Sequence, residues 1–483
     1  MHYRAIVRIL GLLVALFSVT MIPPALISLI FQDGSGLPFI IAFILCVITG
    51  TFMWYPNRYH KKDLRAKEGF LIVVLFWTVL ASFAAIPFIL LEQPSMSVAD
   101  SFFESFSGLT TTGATVIEGI EFLPHSVQFY RQQLQWLGGM GIIVLAVAIL
   151  PILGVGGMQL YRAETPGPVK DSKMTPRIAD TAKHLWYIYL SLTIACCGAY
   201  MLAGMGWFDA VCHAFSTVAI GGFSNHDASL GYFDSPMVNV VCSVFLMIAA
   251  LNFSLHYAAV SSRSFKGYTR DPEFKAFLFI QFILISVCFL VLTLSGYYSS
   301  AEEALDQAMI QAVSISTTAG FATTDFSSWP AFLPILLIFS SFIGGCASST
   351  GGGLKVVRVL LLFLQGKREV DRLIHPKAVY AVKLGERAMP DRVVEAVWGF
   401  FSAYAIVFVV IMIGLIAAGL DNISAFTATA ATLNNLGPGL GSVAGTYSEV
   451  SDPGKWLLVL AMLFGRLEVF SLLVLFSPTF WRS

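Results

Sequence analysis

Charge is what this sequence has least of. Charged residues make up 12% of the 483 residues and hydrophobic residues 57%, whereas a soluble globular chain carries about 25% charged residues. The formal net charge is zero, so we expect no long-range electrostatic steering of a charged partner and no nucleic-acid partner. The length leaves room for about ten membrane spans of about 20 residues each, with loops between them.

The sequence also lacks the patterns that mark membrane-embedded enzymes. It contains no paired His–Glu metal motif, no Gly-x-Ser-x-Gly elbow and no Gly-Lys-Ser/Thr phosphate loop. His213 and His256 stand alone, and most of the seven cysteines lie inside apolar runs without metal-ligand or disulfide spacing. A multi-span membrane enzyme is therefore the less favoured alternative, and a structural membrane scaffold is another. Cation flux and hydrolase assays on purified protein would separate these classes.

Apolar runs at 9–31 and 37–55 predict a helical hairpin at the N-terminus. The first run is longer than a signal-peptide core and lacks a clear cleavage site before Asp33, so we interpret it as a retained span. Lys and Arg cluster in the connectors on the N-terminal side of the membrane, which predicts that both termini are cytoplasmic. Of the 29 Lys and Arg, we place only Arg131 and Lys455 outside and Arg466 in the membrane.

A short pattern recurs four times along the chain. Each copy is a segment too short to cross a bilayer, followed by a loop of small and mainly polar residues that contains glycine. Non-helical backbone at membrane depth is tolerated only where it is buried in protein or lines a water-filled cavity. The four glycines are Gly113, Gly222, Gly320 and Gly437. The predicted N-caps of the short helices are Asp100, Asp209, Asp306 and Ser424.

This recurrence predicts an all-α membrane protein with a pseudo-four-fold pore. Four helix–re-entrant pore helix–helix repeats would surround the pore, and the two-helix hairpin would precede them. The re-entrant helices would enter from outside, because their flanking connectors there are acidic or neutral. The predicted division is 1–67 for the hairpin, 68–160, 161–262, 263–366 and 367–483 for the repeats, with a broken second helix in the third repeat.

The loops have the chemistry of a cation site. A helix that enters from outside points its partially negative C-terminal end toward the membrane centre. Four loops around one axis would offer rings of carbonyl oxygens that can replace the hydration shell of a cation. The loops contain no carboxylate, which favours a monovalent cation, because a divalent selector normally shows a ring of Asp or Glu. The alternative is that Thr and Gly only let helices pack closely.

The stretch 331–364 is too long for one span and is interrupted at 343–353 by the run IGGCASSTGGG. Glycine and small residues at this density break a helix. We interpret the run as a flexible loop below the cation site that blocks or opens the path. The alternative is a kink with close helix contacts.

Arg466 is the other unusual residue, because a charge within a span is usually functional. We expect Arg466 to face the permeation path near the glycine run and to add a barrier to cations. The alternative is a structural ion pair with Glu468 or another carboxylate. Glu104 and His213 fall at matching positions of the first two short helices, and we interpret them as packing or hydrogen-bonding residues rather than ligands.

The four loops, the leading hairpin and the basic connectors resemble the Trk/Ktr/HKT superfamily of potassium transport proteins over essentially the whole chain. The runs NNLGPG at 434–439 and WLGGMGI at 136–142 strengthen the resemblance. Glycine in all four loops is the family pattern for potassium, whereas serine in the first loop is associated with sodium. The implied potassium-binding filter residues are Thr111, Thr112, Gly113, Ile220, Gly221, Gly222, Thr318, Ala319, Gly320, Asn435, Leu436 and Gly437. The implied gate residues are Gly344, Gly345, Ser348, Ser349, Thr350, Gly351, Gly352, Gly353 and Arg466.

The resemblance also implies uptake of K⁺ and Rb⁺ in preference to Na⁺ across the bacterial inner membrane. It implies a homodimer whose opening is controlled by a peripheral, TrkA-like nucleotide-binding ring in the cytoplasm. The potassium ion is the only metal expected, at the filter, and no organic cofactor is expected on this chain. Coupled K⁺/H⁺ or K⁺/Na⁺ symport on the same fold is the alternative, although no carboxylate pair in a span marks a proton relay.

Overall fold

The computed structural model describes residues 1–60, 66–144, 178–330 and 332–482. Its N-terminal part is a helical hairpin, in which α1 (Tyr3–Ser18) and α2 (Ile22–Phe31) together form one span and α3 (Gly36–Trp54) returns beside them. The helices α1 and α3 cross closely, because a Cβ atom on Gly11 would lie only 2.7 Å from the backbone N of Trp54. Small residues at such crossings let membrane helices pack tightly.

Four repeats of span, short helix and second span follow the hairpin. The first contains α4 (Ala66–Ala84), α5 (Ile86–Ile89), α6 (Val98–Leu109) and α7 (His125–Val144), and the second contains α8 (Ile178–Leu202), α9 (Trp207–Ala219), α10 (Pro236–Ala249), α11 (Phe253–Ser262) and α12 (Lys266–Arg270). The third contains α13 (Pro272–Leu294), α14 (Ala301–Ser316), α15 (Leu333–Ser341) and α16 (Val356–Ile374). An antiparallel ribbon of β1 (Lys383–Leu384) and β2 (Arg387–Ala388) leads to α17 (Asp391–Ala417), α18 (Asn422–Leu433), α19 (Asp452–Arg466), α20 (Phe470–Phe476) and α21 (Pro478–Trp481). Short 3₁₀ turns lie at Val19–Met21, Tyr55–Asn57, Ile120–Phe122, Ser229–Phe233, Phe326–Ser328 and Gly441–Val443.

The repeats close into a ring around four short helices, α6, α9, α14 and α18, which we call the pore helices. The second span of each repeat packs against its own pore helix and against the pore helix of the next repeat. The last of these contacts joins α19 of the fourth repeat to α6 of the first. The predicted fold class, four pore-helix repeats with pseudo-four-fold order after a hairpin, is therefore confirmed.

Within the described residues, six helices are long and apolar enough to cross a membrane, and two bent pairs bring the number to eight. The first pair, α10 and α11, is bent by 87°, and the second, α19 and α20, by 117°. The second spans of the second and fourth repeats are therefore each divided into two helices that meet at a sharp bend. Asn252 starts the new direction at the first bend, because its side chain accepts a hydrogen bond from the backbone N of Ser254 (2.8 Å) and caps α11.

In the third repeat, α15 ends at Ser341 and α16 begins at Val356, so the glycine-rich run lies between them. The predicted division of the chain remains a prediction, and its boundaries after residues 67 and 366 fall inside α4 and α16. The predicted continuation of the second span of the first repeat beyond Val144 and most of the basic connector 161–183 lie outside the described residues. The same holds for Lys61, Lys62 and Arg65.

The pore helices begin earlier than expected, so the four predicted N-caps are wrong. The observed N-caps are Ser97, Gly206, Ser300 and Asp421, and Asp100, Asp209, Asp306 and Ser424 lie inside the helices. An acidic residue in the first turn is favoured by the helix dipole and resembles a cap in sequence. A hydrogen bond from the Ser424 hydroxyl, with backbone hydrogen bonds, holds the pKa of Asp421 below its usual range.

Candidate functional site

Each pore helix runs into a loop whose backbone alternates in handedness. We call these four segments, residues 110–115, 219–224, 317–322 and 434–439, the glycine loops. In each loop, a non-glycine residue with positive φ comes first. The next residue has no positive φ, and the third is a glycine with positive φ. The first positions are Thr111 (56°), Ile220 (54°), Thr318 (71°) and Asn435 (54°), and the glycines are Gly113 (78°), Gly222 (80°), Gly320 (85°) and Gly437 (100°). Alternating handedness turns N–H groups to one face of a backbone ribbon and carbonyls to the other.

Three of the non-glycine residues with positive φ, namely Thr111, Ile220 and Thr318, are β-branched. For such side chains the left-handed region is a strained conformation. Strain of this kind persists only where the surrounding structure over-determines it, and it is concentrated at functional sites. In these three loops the surrounding structure therefore holds a β-branched residue in a conformation that its side chain disfavours.

The glycine loops touch one another in a closed ring. A Cβ atom on Gly113 would overlap the carbonyl O of Gly221, and one on Gly437 would lie 2.7 Å from the carbonyl O of Thr112. The other two contacts follow the same rule and join Gly222 to Ala319 O and Gly320 to Leu436 O. Each glycine thus leaves room for the carbonyl that precedes the glycine of a neighbouring loop, and all twelve residues of the predicted filter lie together in this ring.

In two repeats, a serine hydroxyl of the pore helix binds the part of the glycine loop that follows the glycine. Ser107 donates to the carbonyl O of Ala114 (2.5 Å), and Ser314 donates to the carbonyl O of Phe321 (2.7 Å). Both serines lie six residues before their glycine. In the fourth repeat Thr427 takes over, accepting from the backbone N of Leu440 at 3.0 Å. In the first, third and fourth repeats, these bonds tie the backbone that follows the glycine to the preceding pore helix.

A second brace comes from the position nine residues before the glycine. Glu104 accepts from Thr115 Oγ1 (3.0 Å) and from Arg131 Nε (2.7 Å). His213 lies 2.9 Å from Ser224 Oγ through Nε2, as expected of a hydrogen-bonding residue. Gln311 holds the same position in the third repeat and donates to the carbonyl O of Thr324 (3.2 Å), which the sequence analysis missed. Equal distance from the glycine is the signal that would have found it.

Arg131 is buried between the first two repeats. Its guanidinium donates to Glu104, to the carbonyl O of Ser224 (3.1 Å) and to Thr115 Oγ1 (3.1 Å). It also lies 4.2 Å from the ring centroid of Phe223. A buried arginine with a carboxylate partner leaves no net charge behind the ring, so the carbonyls dominate the local field.

The segment 342–355, which we call the interrupting loop, lies against the bases of the glycine loops. Thr350 Oγ1 donates to the carbonyl O of Val218 (3.0 Å). The backbone N of Gly352 donates to Thr318 Oγ1 (2.6 Å), and that of Gly353 to the carbonyl O of Asn434 (3.1 Å). A Cβ atom on Gly352 would overlap that same carbonyl of Asn434. The second, third and fourth pore-helix ends are thus all in contact with this one loop.

Arg466 completes the contact with the first repeat. Its Nη1 donates to Thr111 Oγ1 (3.1 Å) and to the carbonyl O of Thr350 (3.2 Å), and its Nη2 to the carbonyl O of Gly138 (2.6 Å). The side chain is 8% exposed. Glu468, the carboxylate considered as its alternative partner, forms an ion pair with Arg358 (2.6 Å). Arg466 therefore bridges the interrupting loop and the first glycine loop.

The remaining predicted gate residues shape the interrupting loop itself. Ser348, with φ 57°, accepts at its carbonyl O from the backbone N of Phe253 (3.2 Å). Ser349 Oγ donates to the carbonyl O of Cys346 (2.6 Å). A Cβ atom on Gly344 would overlap the carbonyl O of Gly352, and Gly345 accepts from the backbone N of Val356. A Cβ atom on Gly351 would lie 2.8 Å from the carbonyl O of Thr317.

Two charged residues that hold the interrupting loop were missed. Glu273 Oε1 accepts from the backbone N of Ala347 (2.7 Å) and from that of Val357 (3.1 Å), so one carboxylate clasps the loop to the first turn of α16. Lys355 Nζ donates to the carbonyl O of Gly351. A carboxylate at the start of the apolar run 272–294 was the available signal for Glu273.

A ring of backbone carbonyls inside a multi-span helical bundle, with a loop packed beneath it, is the architecture of a membrane cation transport protein. The profile of the TrkH family, described as cation transport protein, matches residues 35–483. The chain belongs to this family, a family of transporters rather than enzymes, and the resemblance found in the sequence is confirmed.

Full-length relatives and a solved structure agree with this assignment. The Trk system potassium uptake protein TrkH of Vibrio parahaemolyticus is 64% identical, and that of Escherichia coli is 61% identical, each over 100% of both chains. TrkG of Escherichia coli is 41% identical over 100% of this chain and 99% of its own. The crystal structure of the potassium transporter TrkH from Vibrio parahaemolyticus superposes with a TM-score of 0.92 at 62% identity, covering 100% of both chains.

Proposed function

We propose that this protein takes up K⁺, with K⁺ and Rb⁺ preferred over Na⁺, across the bacterial inner membrane. The observation that supports this most directly is the closed ring of the four glycine loops, with a carbonyl oxygen beside each glycine. Backbone and hydroxyl oxygens replace the water shell of a weakly hydrated monovalent cation. The glycine loops themselves contain no Asp or Glu, so a divalent cation gains no carboxylate there.

The pore helices assist the cation at the inner end of this filter. Their C-terminal ends, at Leu109, Ala219, Ser316 and Leu433, lead directly into the glycine loops. The C-terminal end of a helix carries a partial negative charge, which stabilises a cation near the end of the last turn. The K⁺ ion is the transported substrate and would be held by the carbonyls of the twelve predicted filter residues.

In the proposed mechanism the interrupting loop is the gate. Thr350, Gly352 and Gly353 bind the ends of three pore helices or their glycine loops, so the loop in this position blocks the path below the filter. Arg466 adds a fixed positive charge beside it. Opening requires these hydrogen bonds to break together, and the positive charge to move or be screened, before K⁺ can pass.

The gate would be controlled from the cytoplasm by a TrkA-like nucleotide-binding ring, acting on a homodimer with both termini in the cytoplasm. The relatives are named as proteins of a Trk system, which supports a membrane subunit that works with others. The basic connectors at the predicted cytoplasmic side, including Lys367, Arg372 and Lys377, support this orientation.

The test is cation flux in liposomes that hold the purified protein with its cytoplasmic ring, comparing K⁺, Rb⁺, Na⁺ and Li⁺. Gly113→Ser should raise the Na⁺ leak, because its Cβ atom would overlap Gly221 O and spread the ring. Gly445→Ser is the matched control, since a side chain there meets nothing within 4 Å. Equal flux of all four cations through the unaltered protein would overturn the proposal. A K⁺ flux that depends on a pH or Na⁺ gradient would favour symport.

A further inference from the structure

Gln135, a fully buried residue of α7 in the first repeat, grips the glycine loop of the second repeat. Its Nε2 donates to the carbonyl O of Gly221 at 2.6 Å. Its Oε1 accepts from the backbone N of Phe223 at 3.1 Å. The two bonds lie on either side of Gly222, so one side-chain amide fixes the peptide groups before and after the filter glycine.

Gly221 is a glycine for a different reason from the four filter glycines. Those four have positive φ, whereas Gly221 does not, so its backbone would accept a side chain. A Cβ atom there would lie 2.5 Å from Oε1 and 2.8 Å from Nε2 of Gln135. The space that a side chain of residue 221 would fill is therefore occupied by the amide of Gln135.

The other three repeats have Thr112, Ala319 and Leu436 at this position, each with a side chain of its own. The second loop alone has two consecutive glycines here, Gly221 and Gly222. Consecutive glycines make a backbone segment unusually free to change conformation. A loop built this way needs an external support to keep its carbonyl in the ring.

We propose that Gln135 is a positioning and selectivity-determining residue of the filter, and that Gln135 and Gly221 form a matched pair. The amide supplies the bulk and stiffness that residue 221 lacks, and it directs the Gly221 carbonyl toward the ion path. This inference rests on the proposed function of the glycine loops as the filter.

The bond from Gln135 also makes the ring unequal. A carbonyl oxygen has two lone pairs, so Gly221 O can accept from Nε2 and still face a cation. The donor nevertheless draws electron density away from the ion, so the second repeat offers a weaker but more rigid ligand than a free carbonyl. A rigid ligand discriminates between K⁺ and the smaller Na⁺ because it cannot follow the smaller ion inward.

The pair is tested by uptake of Rb⁺ and Na⁺ in bacterial cells that lack their own K⁺ uptake and carry the full chain. Gln135→Ala should lower the Rb⁺/Na⁺ uptake ratio at least about fivefold, because it removes both buried hydrogen bonds to the second glycine loop. Gly221→Ala should lower it similarly, because the new methyl group displaces the amide. The double variant should recover a large part of the ratio, since the second loop would then carry a methyl group at the position that Ala319 holds in the third.

Two further variants separate positioning from general stability. Gln133→Ala removes the same amide two residues away, where it donates to the carbonyl O of Thr20 (2.7 Å), and should leave the ratio unchanged. Ala319→Gly creates two consecutive glycines in the third loop without a supporting glutamine and should lower the ratio. Thermal unfolding in detergent identifies any variant that simply fails to fold.

The outcomes distinguish the two proposals. If the unaltered protein takes up Na⁺ as readily as Rb⁺, the proposed function itself fails. If the unaltered protein is selective but Gln135→Ala, folded and inserted, keeps its ratio, the matched pair is wrong. An additive or worse loss in the double variant would also overturn the pair, because matched residues compensate each other.

Discussion

The glycine loops and the interrupting loop lie next to each other but are held in place differently. The glycine loops of the first and third repeats are each tied to their own pore helix by a serine at the same position, Ser107 or Ser314, and the second is tied by His213. The interrupting loop lies in the third repeat and depends on single side chains from distant parts of the chain, such as Glu273 and Arg466. In the proposed mechanism the glycine loops stay fixed and are braced from their own pore helices, whereas the interrupting loop moves and is held by contacts from several separate parts of the chain.

A substitution in the glycine loops should have the largest effect on cation uptake. In Gly320→Ala the new Cβ atom would overlap the carbonyl O of Leu436 and lie 2.7 Å from Cδ of Pro438, at a φ of 85°. Strain of about 2 kcal/mol or more should reduce Rb⁺ uptake at least about thirtyfold. The measurement is uptake in cells, with Gly445→Ala as the control in open space. Uptake at the unaltered rate would mean that the ring tolerates distortion.

A substitution that loosens the interrupting loop should raise cation flux instead. Arg466→Gln removes a charged donor from Thr111, Thr350 and Gly138 and removes the positive charge beside the gate. Basal flux without the cytoplasmic ring should rise about tenfold, as expected for about 1.4 kcal/mol of lost charge-assisted bonding. Flux in liposomes measures this, and Arg372→Gln on the exposed part of α16 serves as the control. Unchanged or lower flux in normally inserted protein would count against the barrier.

The clasp at Glu273 should give the smallest effect of the three. Glu273→Gln keeps an acceptor for the backbone N of Ala347 and of Val357 but loses the charge. Basal flux should rise about threefold, and Glu273→Ala should raise it further, because both N–H groups then lose their acceptor in the closed position. Glu369→Gln, a surface carboxylate on α16, is the control. Equal basal flux in all three variants would show that the clasp does not hold the gate.

The position of the ring could be predicted from sequence because a glycine is hard to replace at a positive φ beside a neighbour's carbonyl. The four glycines therefore recur at a recognisable spacing, although the residues before them differ between repeats, as Thr112, Gly221 and Ala319 do. The broken span of the third repeat was visible for the same reason, since three consecutive glycines cannot continue a helix at low energy.

What the sequence did not reveal depends on partners far apart in the chain. The burial of Arg131 depends on Glu104, 27 residues earlier, which neutralises its charge. The 87° bend after Ala249 has no proline or glycine to mark it, and the capping side chain of Asn252 is ordinary in sequence. Gln135 gives no local signal either, since its role becomes apparent only when α7 lies beside the second glycine loop.

The interrupting loop continues directly into α16, so a tilt of this helix would be coupled to movement of the loop. With 19 residues at about 1.5 Å each, α16 is about 28 Å long. Glu273 holds the first turn of α16 at Val357, close to the point about which the helix would tilt. Arg368 ties the C-terminal half of α16 to Asp391 (2.6 Å). A tilt of about 5° over that length displaces the far end by about 2.5 Å. A small displacement of the turn that follows the interrupting loop would therefore be coupled to a larger displacement at the far end of α16, where Leu373 and Ile374 are exposed.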